Sequence, residues 1–151
     1  MAIQTSAGTT LGMSTTLPTT FDSDSGTGYP SLSFTTVGEI TEIPAFGSVY
    51  NLITHNPLGE RRVTKRKGSI NDGTLTLTFA ADASDTGQAA LNTAHTSDSE
   101  IAIAITYPDG EDDYFTALVM SYPINAGGSD SLQHKPFTLE LTPHPVHLPP
   151  Q

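Results

Sequence analysis

From Thr74 to Phe79 the chain alternates strictly between threonine and a large apolar residue. Leu75, Leu77 and Phe79 point one way and Thr74, Thr76 and Thr78 the other, the period-two mark of a half-buried strand. The pattern recurs at Glu100–Tyr107, where Ile101, Ile103 and Ile105 alternate with Ala102, Ala104 and Thr106. It recurs again at Lys135–Thr142, with Phe137, Leu139 and Leu141 set against Thr138, Glu140 and Thr142. Ser31–Ile43 is rich in β-branched residues and ends at Pro44, so it reads as one long strand or as two broken at Gly38. Val49–Thr54 adds a short strand. Asp113–Tyr122 returns from the Pro108-Asp109-Gly110 turn as the second arm of a hairpin.

One segment has the other period. Ala90, Leu91 and Ala94 share a face at helical spacing, and Ser84 or Asp85 stands where an N-cap belongs, predicting a helix over about 84–95. Gly87 weakens it by up to about 1 kcal/mol against alanine, so the helix must lean on the sheet. The order is strands, one helix, strands: a mainly β domain, sandwich or barrel, over 31–142 with one flanking α-helix. Residues 1–30 are dominated by Thr, Ser and Gly, and Leu11, Met13, Leu17 and Phe21 are spaced too irregularly for a helix or a solvated strand. They read as an N-terminal arm, disordered or ordered on a neighbour with those four residues as anchors. Pro143–Gln151 holds four prolines in nine residues and is expected to be an extended C-terminal arm.

Composition sharpens this picture. A chain of 151 residues is expected to be one domain with one core. Its apolar share of 36% is low against the usual 45–50% or so, which favours arms, or faces that bury only against further copies. With no cysteine there is no disulfide framework, thiolate metal site or cysteine nucleophile. Met1-Ala2-Ile3-Gln4 carries neither a positive region nor an apolar core, so no secretion signal is expected. The longest apolar run, Ile101–Ile105, falls far short of the roughly twenty residues a membrane helix needs.

Charge is the least even property of the chain. Five of its six basic residues, Arg61, Arg62, Lys65, Arg66 and Lys67, lie within seven positions. Glu60–Gly68 is therefore +4, and the other 142 residues carry −14. The island sits in a long loop expected over about 56–72, between the Asn56-Pro57-Leu58-Gly59 turn and Asn71-Asp72-Gly73. A sequence pI near 4.5 argues against nucleic acid as a bound ligand, though not against nucleic acid passing by. A basic loop on an acidic body suits a self-assembling part, in which opposite charge steers one copy onto the next. Simple solvation of the charge run is the plainer alternative. Without interleaved aromatics it makes a poor single-strand site.

Catalytic constellations are thin, and no enzymatic activity and no cofactor are expected. Asp22/Asp24 and Asp112/Asp113 are paired acids for which the sequence offers no positioned partner. His55, His95 and His134 are scattered. His144 and His147 are spaced to reach one metal, but in a proline-rich arm they lack a rigid scaffold, so no metal site is expected. No Gly-rich phosphate loop or Gly-x-Ser-x-Gly elbow is present.

The ordered set of motifs resembles the major tail tube protein of long-tailed (siphovirus-type) bacteriophages. The resemblance is carried by Ser33-Phe34-Thr35-Thr36-Val37-Gly38-Glu39-Ile40-Thr41-Glu42-Ile43-Pro44, and by Tyr50-Asn51-Leu52-Ile53-Thr54-His55 leading through a charged loop to Gly68-Ser69-Ile70-Asn71-Asp72-Gly73. The helix from Asp85 and the Tyr107-Pro108-Asp109-Gly110 hairpin complete it. Positive charge just before Gly68 is denser than that family leads one to expect. The resemblance implies a virion protein, assembled in the host bacterial cytoplasm, whose copies close into hexameric rings that stack head-to-tail into a hollow tube. It further implies a tape-measure protein inside the growing tube, tail tip or baseplate and tail terminator proteins at its ends, and DNA passing through without specific binding. No membrane is involved. On that reading Glu39, Glu42, Glu100 and Glu140, in or beside strands with small polar neighbours, are the candidates for an acidic, DNA-repelling lumen, and the basic loop is the inter-ring contact. For any single carboxylate, ordinary solvation is the plain alternative. The runners-up are a monomeric all-β ligand- or receptor-binding module, against which the lack of Trp counts, and the tube protein of a contractile secretion system.

Overall fold

The computed structural model describes residues 3–143 and 145–149. Among them ten strands and one α-helix follow, with a single 3-10 turn at Tyr29–Ser31, in the order β1 (Thr10–Ser14), β2 (Thr35–Val37), β3 (Ile40–Glu42), β4 (Val49–His55), β5 (Thr64–Asn71), β6 (Thr74–Ala80), α1 (Thr86–His95), β7 (Ile101–Thr106), β8 (Asp112–Ser121), β9 (His134–Leu141) and β10 (Val146–Leu148). Eight strands form one antiparallel sheet, ordered β2-β1-β7-β8-β9-β6-β3, with β10 added beside the first residues of β8. β4 and β5 form a separate two-stranded ribbon.

The two outermost strands explain the curl. β2 and β3 are consecutive in the chain, with only Gly38 and Glu39 between them, yet they pair at opposite edges of the sheet. Three residue steps span at most about 11 Å. The sheet must therefore curl until its edges meet, which makes it a single barrel-like sheet and not two stacked ones. The break at Gly38 lies where the sequence allows it. Glu39 takes φ 61°, and its carbonyl accepts from the Ala80 N–H at 2.9 Å. That left-handed geometry turns the chain from one edge to the other.

The apolar halves of the alternating strands fill the curl. Leu75, Leu77 and Phe79 of β6 meet Leu139 and Phe137 of β9, with Phe79 and Phe137 edge to face at 5.0 Å between centroids. Ile101, Ile103, Ile105, Phe115, Ala117 and Val119 continue the core through β7 and β8, and Leu91 and Ala94 of α1 close it. Asp85 caps the helix, accepting from the Gln88 N–H at 2.9 Å. Gly87 is needed for close approach: a Cβ there would lie 2.4 Å from the Thr36 carbonyl oxygen.

Both expected arms are corrected in part. In residues 1–30, Leu11 and Met13 lie on β1, paired with Ile105 and Ile103 of β7 and fully buried in this chain's own core. Irregular spacing to Leu17 and Phe21 hid a short two-residue alternation around Gly12. Leu17 and Phe21 remain on the surface, Phe21 with its ring 6.1 Å from Tyr29. Asp22 and Asp24 fold their segment locally, accepting from the N–H groups of Asp24 and of Gly26 and Thr27 respectively. Tyr29 beyond them is buried on the outer face of the sheet, stacked on Tyr114 at 5.5 Å. In the C-terminal arm, Val146 and Leu148 extend this outer cluster, and β10 pairs with Asp112–Tyr114 of β8. Prolines on both sides of three pairing residues do not prevent an edge strand.

Candidate functional site: an open acidic face and a basic hairpin

The polar halves of the strands divide into a covered and an open region. Over β7 and the start of β8, Tyr29 and Phe34 cover Ala102, Ala104 and Tyr114. Over the end of β8, β9, β6 and β3 no such cover lies among the described residues. There Thr74 stands opposite Glu140, Thr76 opposite Thr138, and Thr78 opposite Glu42 on its other side. Glu140 accepts from the Thr74 hydroxyl at 2.7 Å, and Thr41 donates to the Thr78 carbonyl at 3.1 Å. Glu140 also faces Leu118 across β8. Glu100 directly precedes Ile101, whose partner is Ala117, so one further step of that register sets Glu100 beside Leu118 on the open face. The fold thus brings Glu42, Glu100 and Glu140 onto one threonine-rich surface. Glu39 stands apart, exposed at the corner between β2 and β3.

The basic loop is corrected to a hairpin. Lys65, Arg66 and Lys67 lie on β5, paired with Thr54, Ile53 and Leu52, and only Arg61 and Arg62 lie in the connection. Sequence reasoning missed the second strand because lysine and arginine are poor strand signals, while the partner strand supplies the register. Both faces carry exposed apolar side chains: Val49 and Leu52 are each 65% exposed, with Tyr50, Ile53 and Ile70 about half exposed. Lys67 lies over the Tyr50 ring, its Nζ 4.6 Å from the centroid. Among the described residues none of the five basic side chains forms an ion pair. The sixth, Lys135, sits over Tyr122 at 5.3 Å. A two-stranded ribbon with apolar residues on both faces is marginal alone in water. The apolar content of β4 was the available signal for a contact surface.

A third cluster surrounds the β7–β8 turn. Asp113 accepts from the Tyr107 hydroxyl at 2.6 Å and bonds His147 Nδ1 at 2.7 Å, while Asp112 accepts from Thr106 at 2.6 Å. The paired acids Asp112 and Asp113 therefore do have partners, contrary to expectation, because the hairpin sets Thr106 and Tyr107 beside them and β10 adds His147 to Asp113. The hydrogen bond to Asp113 raises the His147 pKa, and burial pushes that of Tyr107 strongly upward. Of the expected histidine pair, His144 lies outside the described residues. Among the described residues no three His, Asp or Glu side chains converge as a metal site would require, and no helix is long and apolar enough to cross a membrane.

Similarity to known proteins agrees with this fold. No curated protein matches the chain in sequence. A chain in the six-fold symmetrised cryo-EM structure of the anti-feeding prophage baseplate aligns with TM-score 0.70 at 12% identity, over 98% of this chain and 97% of that one. A chain from the sheath/tube terminator of an extracellular contractile injection system (PVC, extended state) aligns with TM-score 0.67 at 10% identity, over 99% of both. The SPP1 tail tube, a hybrid solid-state NMR and cryo-EM structure, aligns with TM-score 0.62 at 14% identity, over 92% of this chain and 75% of that one. At such identities these likenesses establish the fold. The family model for the phage tail tube protein matches residues 1–143, and the chain belongs to that family.

Proposed function

We propose that this chain is the tail tube subunit of a siphovirus-type phage, a structural virion protein whose copies form hexameric rings stacked head-to-tail. The open face bearing Glu42, Glu100 and Glu140 lines the bore, and genomic DNA is ejected along it. The observation that carries this reading is the gathering of three carboxylates, from three separate parts of the sequence, onto one uncovered threonine surface of a tail tube fold. Carboxylates repel phosphates within about a Debye length, roughly 8 Å at physiological salt. Repeated in every ring, the wall offers DNA no place to lodge. Glu39 contributes at the corner. Leu17 and Phe21, on the surface of the N-terminal segment, are anchors against a neighbouring copy. Hydroxyls hold the face polar without adding charge, and the Thr74–Glu140 bond holds one carboxylate against the sheet.

The basic hairpin is the inter-ring contact. Its chemistry needs a partner that is both apolar and acidic, and the body of another copy is acidic. A head-to-tail interface leaves both ends of the stack open, so growth continues until tail terminator and baseplate proteins cap it. A tape-measure protein occupies the bore during assembly, and the tube's length is set outside this chain. On this reading DNA passes through without specific binding, and the role calls for no membrane, cofactor or catalysis. Likeness to contractile injection systems keeps one second reading, a tube protein of such a machine. The deciding experiment is negative-stain microscopy of purified protein, followed by ejection assays on phage carrying it. Hollow filaments and DNA-filled ejection support the proposal; a persistent monomer at high concentration would falsify it.

A further inference from the structure

We propose that the seat for the basic hairpin of one copy is the loop 122–133 of the next, an apolar and acidic apron formed by Ile124, Leu132 and Asp130 beside Asp82. This rests on the inter-ring role of the hairpin and names its partner surface.

The positions of the two features make the case first. The hairpin joins the sheet at Gly73, whose carbonyl accepts from the Leu141 N–H at 2.9 Å, so it rises from the Thr74/Leu141 end of the β6–β9 ladder. The loop 122–133 joins β8 to β9 at the Ala80/His134 end of the same ladder, bridged by Asn125 to His134. The seven residues of β6, six steps along the strand, separate the two ends by about 20 Å. Association that propagates must join unlike surfaces at different ends of the subunit, since like meeting like closes a dimer. The loop lies at the required end. β4, also seven residues, gives the hairpin a comparable reach.

Surface chemistry agrees. Ile124 is 64% exposed and Leu132 70%, and Met120 near the end of β8 is exposed as well. These match the uncovered Leu52, Ile53 and Leu58 of the hairpin. Asp82 is brought next to the loop by the bond from the Ala81 N–H to the Gln133 carbonyl at 2.8 Å. Hydrogen bonds from Ser84 hold its carboxyl in the charged form. Asp130 supplies a second carboxylate from the loop itself, facing the charge of Arg61, Arg62 and the β5 cations.

The competing acceptor is the acidic β7–β8 turn with the groove of about 930 Å³ beside it, lined by Ile40, Ile43, Phe46 and Pro108. Two of its carboxylates already face a titratable base: Asp113 bonds His147 Nδ1 at 2.7 Å, and His147 Nε2 lies 4.0 Å from Glu111. The groove is also lined by Phe46, three residues before the hairpin begins at Val49, so docking there would bring hairpin ends together.

Reciprocal charge reversal tests the assignment, with polymer fraction read by sedimentation and folding by circular dichroism. Asp130→Arg with Leu132→Arg, both exposed, should cut polymer at least tenfold, and so should Arg61→Glu, Arg62→Glu and Arg66→Glu. Combining both sets in one chain should restore tubes. If the loop variant polymerises normally while the hairpin variant does not, or if the folded combination stays monomeric, the acceptor lies elsewhere and this inference is overturned with the hairpin role intact. If neither set impairs assembly, the inter-ring role itself is wrong. Because the chain has no cysteine, Leu132→Cys carrying a photo-crosslinker gives a second reading that survives any folding defect in the charge variants. Capture of a peptide from 49–71 of another copy supports the seat, and capture of 107–113 overturns it.

Discussion

Gln88 joins both ends of the curled sheet through one buried amide. Its Nε2 donates to the Gly38 carbonyl at 3.2 Å and to the Ala80 carbonyl at 2.9 Å, while its Oε1 accepts from the Asp82 N–H at 3.1 Å. Gly38 also donates its own N–H to the Asp85 carboxylate at 3.1 Å. The first turn of α1 therefore clamps the corner at which β2 becomes β3.

Gln88→Ala leaves two carbonyls and one N–H of this seam without their partner. Each unsatisfied buried group costs about 1–3 kcal/mol, so a loss of about 2–4 kcal/mol is expected once water reaches part of the seam. Thermal unfolding of monomeric protein measures it. A change below about 0.5 kcal/mol would show that the clamp is ornamental.

Gly87→Ala raises intrinsic helix propensity by about 1 kcal/mol, yet it should destabilise. The new Cβ would meet the Thr36 carbonyl oxygen at 2.4 Å and the Val37 Cα at 2.6 Å. Overpacking of this kind costs about 1–3 kcal/mol. Chemical denaturation gives the sign directly, and a stabilised variant would refute the close packing of α1 on β2.

Serine at Arg61, Arg62, Lys65, Arg66 and Lys67 together should leave a folded monomer that polymerises poorly. A tenfold rise in the concentration needed for assembly corresponds to about 1.4 kcal/mol per contact. Because the lost interaction is partly Coulombic, wild-type assembly should weaken as salt rises. Unchanged polymerisation of the serine variant at physiological salt would remove the hairpin from the interface.

Reversing Glu39, Glu42 and Glu140 to lysine should leave tubes intact and slow genome ejection, because cations in the bore would hold phosphates instead of repelling them. Single-particle ejection kinetics on variant phage provide the measurement. Ejection at the normal rate from such tubes would mean that these carboxylates do not face DNA.

The pairing of β10 should depend on pH. The Asp113 hydrogen bond raises the folded pKa of His147 above its ordinary value, near 6.5. Its contribution is then complete below about pH 6.5 and is lost as pH rises through the folded pKa. His147 is more than half exposed, so the effect is small and local. Amide exchange over 146–148, corrected for its intrinsic pH dependence, should show greater protection at pH 6 than at pH 9. In His147→Gln the difference should vanish.

Legibility in the sequence followed the kind of interaction involved. Strands β6 and β9 were readable because each has one buried and one polar face, and that contrast is written at every second residue; β7, buried on both faces, was readable from isoleucine alternating with small residues. The Asp85 cap was readable because its hydrogen bond is local. β1 was not, since its alternation lasts only from Leu11 to Met13 and its burial depends on β7, about ninety residues away. β10 depended in the same way on Asp112–Tyr114. The hairpin was read as a loop because the cations of β5 satisfy no core, and their strand geometry comes from pairing with β4.

By itself the sequence determined the strand periodicity, the single capped helix, the uneven charge and hence the class of protein. Each of these is local or additive, set by neighbours within a few positions or by a sum over the chain. Only the tertiary structure decided which edges meet at Gly38, which segments cover the outer face, and that Glu42, Glu100 and Glu140 share the open one. Those relations depend on cross-strand register between distant segments, and register is an agreement between two stretches of chain that neither contains alone.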